Sequence, residues 1–192
     1  MKLAPDESFG EQVAKFKACL QKFNAVHSLT NYDDLDAVVR DSLSGANFIP
    51  RYPRIACDIG SGAGFPGIFL ALAMPLCEWH LFEPNQKKAA FLTYAKVSLA
   101  LANVKIHAER VQDGAKLRAD LISSRALMSA RNLIEICRGF YDENTTFLLY
   151  KGSGAEAEAA EFRKEFTSAS CEIFSGENAL KNRKFLVIKG VK

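Results

Sequence analysis

Asp58-Ile59-Gly60-Ser61-Gly62-Ala63-Gly64-Phe65-Pro66-Gly67 decides how the rest of this chain is read. The apolar run Ile55-Ala56-Cys57 before it reads as a buried strand, and the apolar stretch from Ile68 to Met74 after it suits a helix. A glycine-rich turn between strand and helix lets backbone N–H groups approach a ligand that a Cβ would hold away. Glu83 closes the next apolar run, Leu81-Phe82, at the distance where an acid binds ribose hydroxyls in nucleotide-binding folds. The stretch therefore predicts a nucleotide-type cofactor site. Which cofactor it takes depends on the surroundings.

From Arg54 onward strands and helices alternate. Strand 54–59 leads to helix 66–74, and strand 78–83 leads to helix 86–101. Strand 104–107 comes next, then strand 120–124, a helix near 130–140 with Leu133, Ile136, Cys137 and Phe140 on one face, and strand 145–151. Such alternation predicts an α/β fold, a mainly parallel sheet with helices on both faces. The end of the chain differs. Helix 154–166 is followed by strands 171–174 and 184–190, too close together for a crossover helix, which predicts an antiparallel hairpin.

The first fifty residues read as a separate helical unit. Phe9, Val13, Phe16, Leu20 and Phe23 recur at spacings of four and three, the single apolar stripe of a helix of about four turns that packs on the main domain. Asn31 or Asp33 caps a second short helix running to about Leu43, and residues 45–53 read as a linker. The expected organisation is an N-terminal helical segment, 1–50, packed on a core domain, 51–192.

At 192 residues the chain can bury a sizeable core, and 48% apolar with 24% charged residues is an ordinary soluble composition. No apolar run approaches a membrane span and no signal-peptide pattern opens the sequence, so no membrane partner and a cytoplasmic location are expected. Cys19, Cys57, Cys77, Cys137 and Cys171 are odd in number and never paired as Cys-x-x-Cys, which predicts reduced core thiols. His27, His80 and His107 are equally scattered, so no metal site is expected. Residues 1–50 carry 5 basic and 7 acidic side chains against 20 and 15 in the remainder, and Lys181, Arg183, Lys184, Lys189 and Lys192 crowd the tail. A basic edge fits a polyanionic partner. It equally fits an edge strand protected from pairing by lysines. No interface pattern stands out, so a monomer is expected.

Gly62, Gly64 and Gly67 satisfy G-x-G-x-x-G, and with Glu83 they permit a nicotinamide-dependent oxidoreductase. Three features favour another cofactor. The α/β core is too short for a second mononucleotide-binding half or a substrate domain. Asp58 and Gly60 open the turn as D-x-G-x-G, and a carboxylate there would repel a pyrophosphate while attracting, directly or through water, the ammonium and sulfonium of a methionine moiety. The terminal antiparallel hairpin marks class I S-adenosylmethionine-dependent methyltransferases, whose Rossmann-like sheet has seven strands.

In detail the sequence resembles one family, the bacterial ribosomal RNA small-subunit methyltransferase G, also called glucose-inhibited division protein B. The likeness runs from about Lys22 to the C-terminus and rests on Asp58 to Gly67, where Phe65-Pro66-Gly67 is far more specific than the glycines, together with Ile122-Ser-Ser-Arg-Ala126, Tyr150-Lys-Gly152 and Arg183-Lys-Phe-Leu-Val-Ile-Lys189. The resemblance implies transfer of a methyl group from S-adenosylmethionine to N7 of one guanine in a loop of 16S ribosomal RNA, with the 30S subunit as partner. It places the cofactor against Gly60 and Phe65, its ribose on Glu83, its adenine flanked by Val111 and Gln112, and Arg125 facing the reaction; with Asp58 and Gly62 of the turn, these residues, Arg125 included, make up the expected cofactor site. Ser28-Leu-Thr30 stands where the family has Asn-Leu-Thr, and Ala37-Val38 stands before Asp41-Ser42 where the family has Arg-His.

Guanine N7 is a lone pair without a proton, so its methylation needs no general base. The sequence lacks the Asn-Pro-Pro-Tyr type of motif with which amine methyltransferases orient a nitrogen. Catalysis then rests on alignment and on electrostatics around the sulfonium. Arg125, just past a strand end, is the catalytic candidate, able to hold a phosphate or the guanine O6 edge; a structural ion pair is its other reading. Lys151 and Arg183 are the candidate RNA-binding residues, with plain surface charge as the alternative. Tyr32 and Phe65 are candidate stacking platforms for a splayed base, with core packing as the other reading of Phe65. A small-molecule or protein methyltransferase on the same scaffold also stays open.

Overall fold

The computed structural model describes residues 8–176, 180 and 182–192, which leaves Lys181 of the basic tail outside the described residues. Seven strands form one sheet: β1 (Ile55–Ile59), β2 (Glu78–Phe82), β3 (Val104–His107), β4 (Leu121–Arg125), β5 (Thr146–Lys151), β6 (Ser170–Ser175) and β7 (Lys184–Lys189). Their spatial order is β3-β2-β1-β4-β5-β7-β6, parallel except that β7 runs antiparallel to both β5 and β6. This is the seven-stranded sheet with a terminal hairpin that the spacing predicts.

Helices cover both faces, so the central strands are buried almost throughout instead of alternating. On one face lie α1 (Phe9–His27), α2 (Leu35–Ser44), α3 (Gly67–Ala73) and α4 (Gln86–Ser98), closing over Trp79, Phe69 and Phe91. On the other lie α5 (Ala130–Ile136) and α6 (Ala155–Glu165), closing over Ile122, Phe147 and Phe162. The stripe expected on α1 is real. Phe16 sits fully buried in a cage of Phe65, Phe69 and Phe91, at centroid distances of 5.5, 4.9 and 5.7 Å. Through Phe16, α1 buttresses the glycine turn from behind.

Three details differ from the sequence expectation. Residues 45–53 are not a plain linker, because Gly45–Phe48 form a 3-10 turn, Ala46 and Ile49 are buried, and Phe48 stacks on Phe174 of β6 at 4.7 Å. A Cβ on Gly45 would overlap the Tyr150 hydroxyl, which donates to the Ser42 carbonyl, so glycine is required for this close approach. The cap of α2 is Asp34, not Asn31 or Asp33: its backbone is extended and its carboxylate accepts the Ala37 N–H at 2.9 Å. Helices α4 and α5 are shorter than predicted, since Ala100 and Gly139 adopt φ of 53° and 88° just beyond them.

Candidate active site

The strand order reverses direction between β1 and β4, so the loops leaving these strands diverge and open a cleft at their C-terminal ends. The glycine turn forms its floor. Gly60, Gly62 and Gly64 have φ of 71°, 57° and 92°, conformations a side chain would strain. The Gly60 and Ser61 N–H groups both donate to the Phe82 carbonyl, at 2.9 and 3.1 Å, which fastens the turn to β2. Glu83 fastens it again, one carboxylate oxygen accepting the Gly62 N–H and the other the Asn85 N–H, each at 2.8 Å. A Cβ on Gly62 would meet nothing closer than the Gly60 carbonyl oxygen at 3.9 Å, so this backbone faces open space where a ligand can approach it.

Asp58 lies underneath the turn rather than in the cleft. It is 1% exposed, accepts the Ser123 hydroxyl at 2.6 Å through Oδ1, and turns Oδ2 toward Gly67 without a hydrogen-bond partner among the described residues. A Cβ at position 67 would collide with that carboxylate, which explains the last glycine of the motif. Burial, only partly offset by the Ser123 hydrogen bond, pushes the Asp58 carboxyl up to about 6. The direct ligand contact allowed for Asp58 by sequence is thus blocked by the turn itself, and its charge acts from below.

Two cavities share the cleft. The first, about 260 Å³, is an apolar slot walled by Ile59, Phe82, Val111, Met128 and Ile136, with Arg110 and Gln112 at its edge. It suits a flat heterocycle. The second, about 330 Å³, is more polar and gathers Gly62, Phe65, Glu83, Lys88, Arg125 and Tyr32. Gly60, Pro84 and Leu127 line both. An acid beside a glycine turn, next to an apolar slot, is the arrangement a nucleoside requires.

Arg125 ends β4 at the far side of the second cavity. Its guanidinium lies over the rings of Tyr32 and Phe65, 5.0 and 5.2 Å from their centroids, and donates to the Tyr32 hydroxyl at 2.7 Å. It also pairs with Asp41 at 3.4 Å, and the wholly buried Asp41 further accepts Arg183 Nε at 2.8 Å and the Leu180 N–H at 3.1 Å. Arg125 therefore both lines the cleft and is ion-paired.

A family model described as rRNA small subunit methyltransferase G matches residues 10–187. The chain belongs to that family. The relative named ribosomal RNA small subunit methyltransferase G in Campylobacter hominis is 52% identical over 184 residues, spanning 96% of this chain and 94% of its own length. The one in Campylobacter fetus subsp. fetus is 47% identical, covering 97% of each. Among solved structures, MtNAS in complex with MTA and tNA is similar in fold, with a TM-score of 0.66 at 14% identity over 96% of this chain and 72% of that one. A ribosomal protein L11 methylase from Lactobacillus delbrueckii subsp. bulgaricus reaches 0.63 at 11% identity, covering 84% and 81%. Membership in a methyltransferase family closes the nicotinamide alternative that G-x-G-x-x-G left open.

Of the residues that the family likeness implicates, Gly60, Gly62, Phe65, Glu83, Val111, Gln112 and Arg125 converge on this one cleft. Lys151 and Arg183 do not line either cavity. Lys151 pairs with Glu158 at 2.9 Å and donates to the Met128 carbonyl, while Arg183 is held by Asp41 and the Lys151 carbonyl. Their charges brace the loop behind the cleft. Nor do the tail cations form one edge: Lys184 lies level with Lys151 at the cleft end of β7, and Lys189 at the opposite end. Sequence reasoning missed Asp41, Lys88, Leu127 and Met128. Only Asp41, in the Asp41-Ser42 pair that follows the altered family motif on α2, carried a signal in the sequence.

The altered N-terminal motif keeps its shape by other means. The Asn24 side chain accepts the Thr30 N–H and donates to the Thr30 carbonyl, both at 2.9 Å, and so clamps the segment that delivers Tyr32. The histidines are less scattered than the sequence suggests: His80 Nδ1 lies 2.9 Å from His107 Nε2, and His107 stacks on Phe82, a wall of the apolar slot, at 4.4 Å. Burial, with repulsion from His80, holds the His107 imidazole below its usual range. No group of three metal-ligating side chains occurs among the described residues.

Proposed function

We propose that this chain transfers a methyl group from S-adenosylmethionine to N7 of one guanine in 16S ribosomal RNA, acting on the small ribosomal subunit as a cytoplasmic monomer. Family membership supports the rRNA methyltransferase reading. The observation that carries the site assignment is the single cleft in which the Glu83-braced glycine turn meets the Arg125–Tyr32–Phe65 cluster. Residues 1–50 serve the core domain, 51–192, as a packed appendage that carries Tyr32 and Asp41 to the site.

S-adenosylmethionine supplies an electrophilic methyl on sulfur and leaves as S-adenosylhomocysteine when the N7 lone pair forms the new bond and the carbon–sulfur pair returns to sulfur. The chain's part is placement. Val111, Phe82 and Met128 grip the adenine in the apolar slot, Gln112 sits at its edge, and Glu83 accepts from the ribose with the lone pairs its two N–H contacts leave free. Asp58 adds negative potential beneath the turn for the cationic methionine end. Tyr32, 43% exposed, offers a ring for the splayed guanine, and Arg125 holds its O6 edge or a phosphate. No proton leaves N7, so no general base is needed. Lys87 and Lys88, in the first turn of α4, and Arg110, on the loop after β3, replace Lys151 and Arg183 as the first contacts for RNA phosphates.

Radiolabelled S-adenosylmethionine offered with 30S subunits, deproteinised 16S RNA and 23S RNA, followed by nucleoside mass spectrometry, tests the reading. The expected product is 7-methylguanosine in 16S RNA alone. Label in ribosomal protein, or in another nucleoside, would refute it.

A further inference from the structure

We infer that Leu127 is a gate across the middle of the cleft, which must swing off Gly60 before the cofactor can lie in both cavities. The inference rests on the cofactor placement proposed above. Leu127, Gly60 and Pro84 are the only described residues that line both the apolar slot and the polar cavity. A ligand that fills both has to run past these three residues. The two Leu127 methyls lie 2.9 and 3.0 Å from where a Cβ on Gly60 would stand, so they cover the face that the first glycine of the turn leaves bare.

The backbone around Leu127 is built to let this one side chain move. On one side Arg125 is tied to Tyr32 and Asp41. On the other the Met128 carbonyl accepts Lys151 Nζ at 2.6 Å, and the Ala130 N–H donates to Glu158. Between these anchors Ala126 adopts φ of 52°, a conformation that L-residues other than glycine avoid, and Leu127 itself is 42% exposed. An exposed leucine on a strained, doubly anchored turn loses little packing when it rotates. Leu127 is therefore a positioning residue whose effect appears in binding kinetics.

Surface plasmon resonance of S-adenosylhomocysteine on the immobilised full chain tests the gate, with melting temperature as the check on folding. Leu127→Ala should speed both association and dissociation about tenfold with no change in melting temperature, and Leu127→Phe should slow association. Glu83→Gln is the control for placement and should weaken S-adenosylhomocysteine in either case. Equal association rates for Ala, Leu and Phe at position 127, with Glu83→Gln still weakened, would overturn the gate alone. Unchanged affinity in Glu83→Gln would overturn the placement and the gate with it.

Discussion

Arg125 on β4 and Asp41 on α2, 84 residues apart in the chain, meet at 3.4 Å, and the same carboxylate holds Arg183 at 2.8 Å. Asp41 is wholly buried, and the two arginine side chains are 6% and 13% exposed. One carboxylate thus compensates two guanidiniums while joining the N-terminal helices, the end of β4 and the start of β7. Removing it strands two buried cations, a loss of about 3–5 kcal/mol. Asp41→Ala is expected to lower the unfolding free energy from urea titration by that amount, and an unchanged value would show that the arginines find water instead.

Arg125→Ala separates substrate placement from cofactor binding. The guanidinium lies against Tyr32 and Phe65 at the far wall of the polar cavity, away from the slot assigned to adenine. S-adenosylmethionine affinity by calorimetry should stay within a few-fold of the parent, while methyl transfer to 30S subunits falls to background. Equal loss of both would make Arg125 a cofactor residue.

How much of this was legible in the sequence follows from the range of the interactions. The glycine turn, Glu83 and the alternation of strands and helices are local patterns, and they predicted the sheet and one side of the cleft. Contacts between residues far apart in the chain left no such trace: Asp41 with Arg125 and Arg183, the Lys151 ammonium with the Met128 carbonyl, and His80 with His107 across neighbouring strands. Lys151 and Arg183 read as free cations for that reason, since their distant partners do not show in the local sequence. Residues 45–53 looked like a linker because Gly45, Pro50 and Pro53 punctuate them, whereas Ala46, Ile49 and the Gly45 contact with Tyr150 tie them to the sheet.

Asp58 makes the protein's response to pH a trade between stability and binding. Burial raises its carboxyl from 3.8 to about 6, so between those values the folded chain holds a proton that the unfolded chain releases. The Asp58 contribution to stability therefore falls as pH rises through that window and stays low above it. The ionised form is the one that attracts a cationic methionine moiety, so cofactor affinity should rise roughly tenfold as pH climbs through 6. Calorimetric titrations on either side of the window check this, and Asp58→Asn should flatten the profile. A profile unchanged in the Asn variant would assign the titration elsewhere.

Ser28 closes α1 with φ of 48° and ψ of 53°, the left-handed conformation that asparagine and glycine tolerate best. The family's asparagine at this position is therefore explained by backbone conformation. Ser28 is exposed, and Asn24 already supplies the clamp to Thr30, so nothing else depends on the serine. Ser28→Asn and Ser28→Gly should each stabilise the chain by about 0.5–1 kcal/mol in urea unfolding without altering cofactor affinity. Destabilisation by both would mean that the serine hydroxyl has a partner worth more than the strain.

Glu83 serves the turn before it serves any ligand. Its two oxygens take the Gly62 and Asn85 N–H groups at 2.8 Å each, and it is only 6% exposed. Glu83→Ala removes both acceptors, so it should lower stability by about 1–3 kcal/mol as well as abolish measurable binding of S-adenosylmethionine. Its affinity loss alone cannot then distinguish a ribose contact from a collapsed turn. Glu83→Gln does. The amide keeps one oxygen to hold the turn but turns an NH₂ group toward the Gly62 or Asn85 N–H. It also has fewer lone pairs for ribose hydroxyls. A smaller loss of melting temperature than in Glu83→Ala, with affinity lowered by at least tenfold, is the expected result. Loss of affinity only in step with stability, across both variants, would confine Glu83 to bracing the turn.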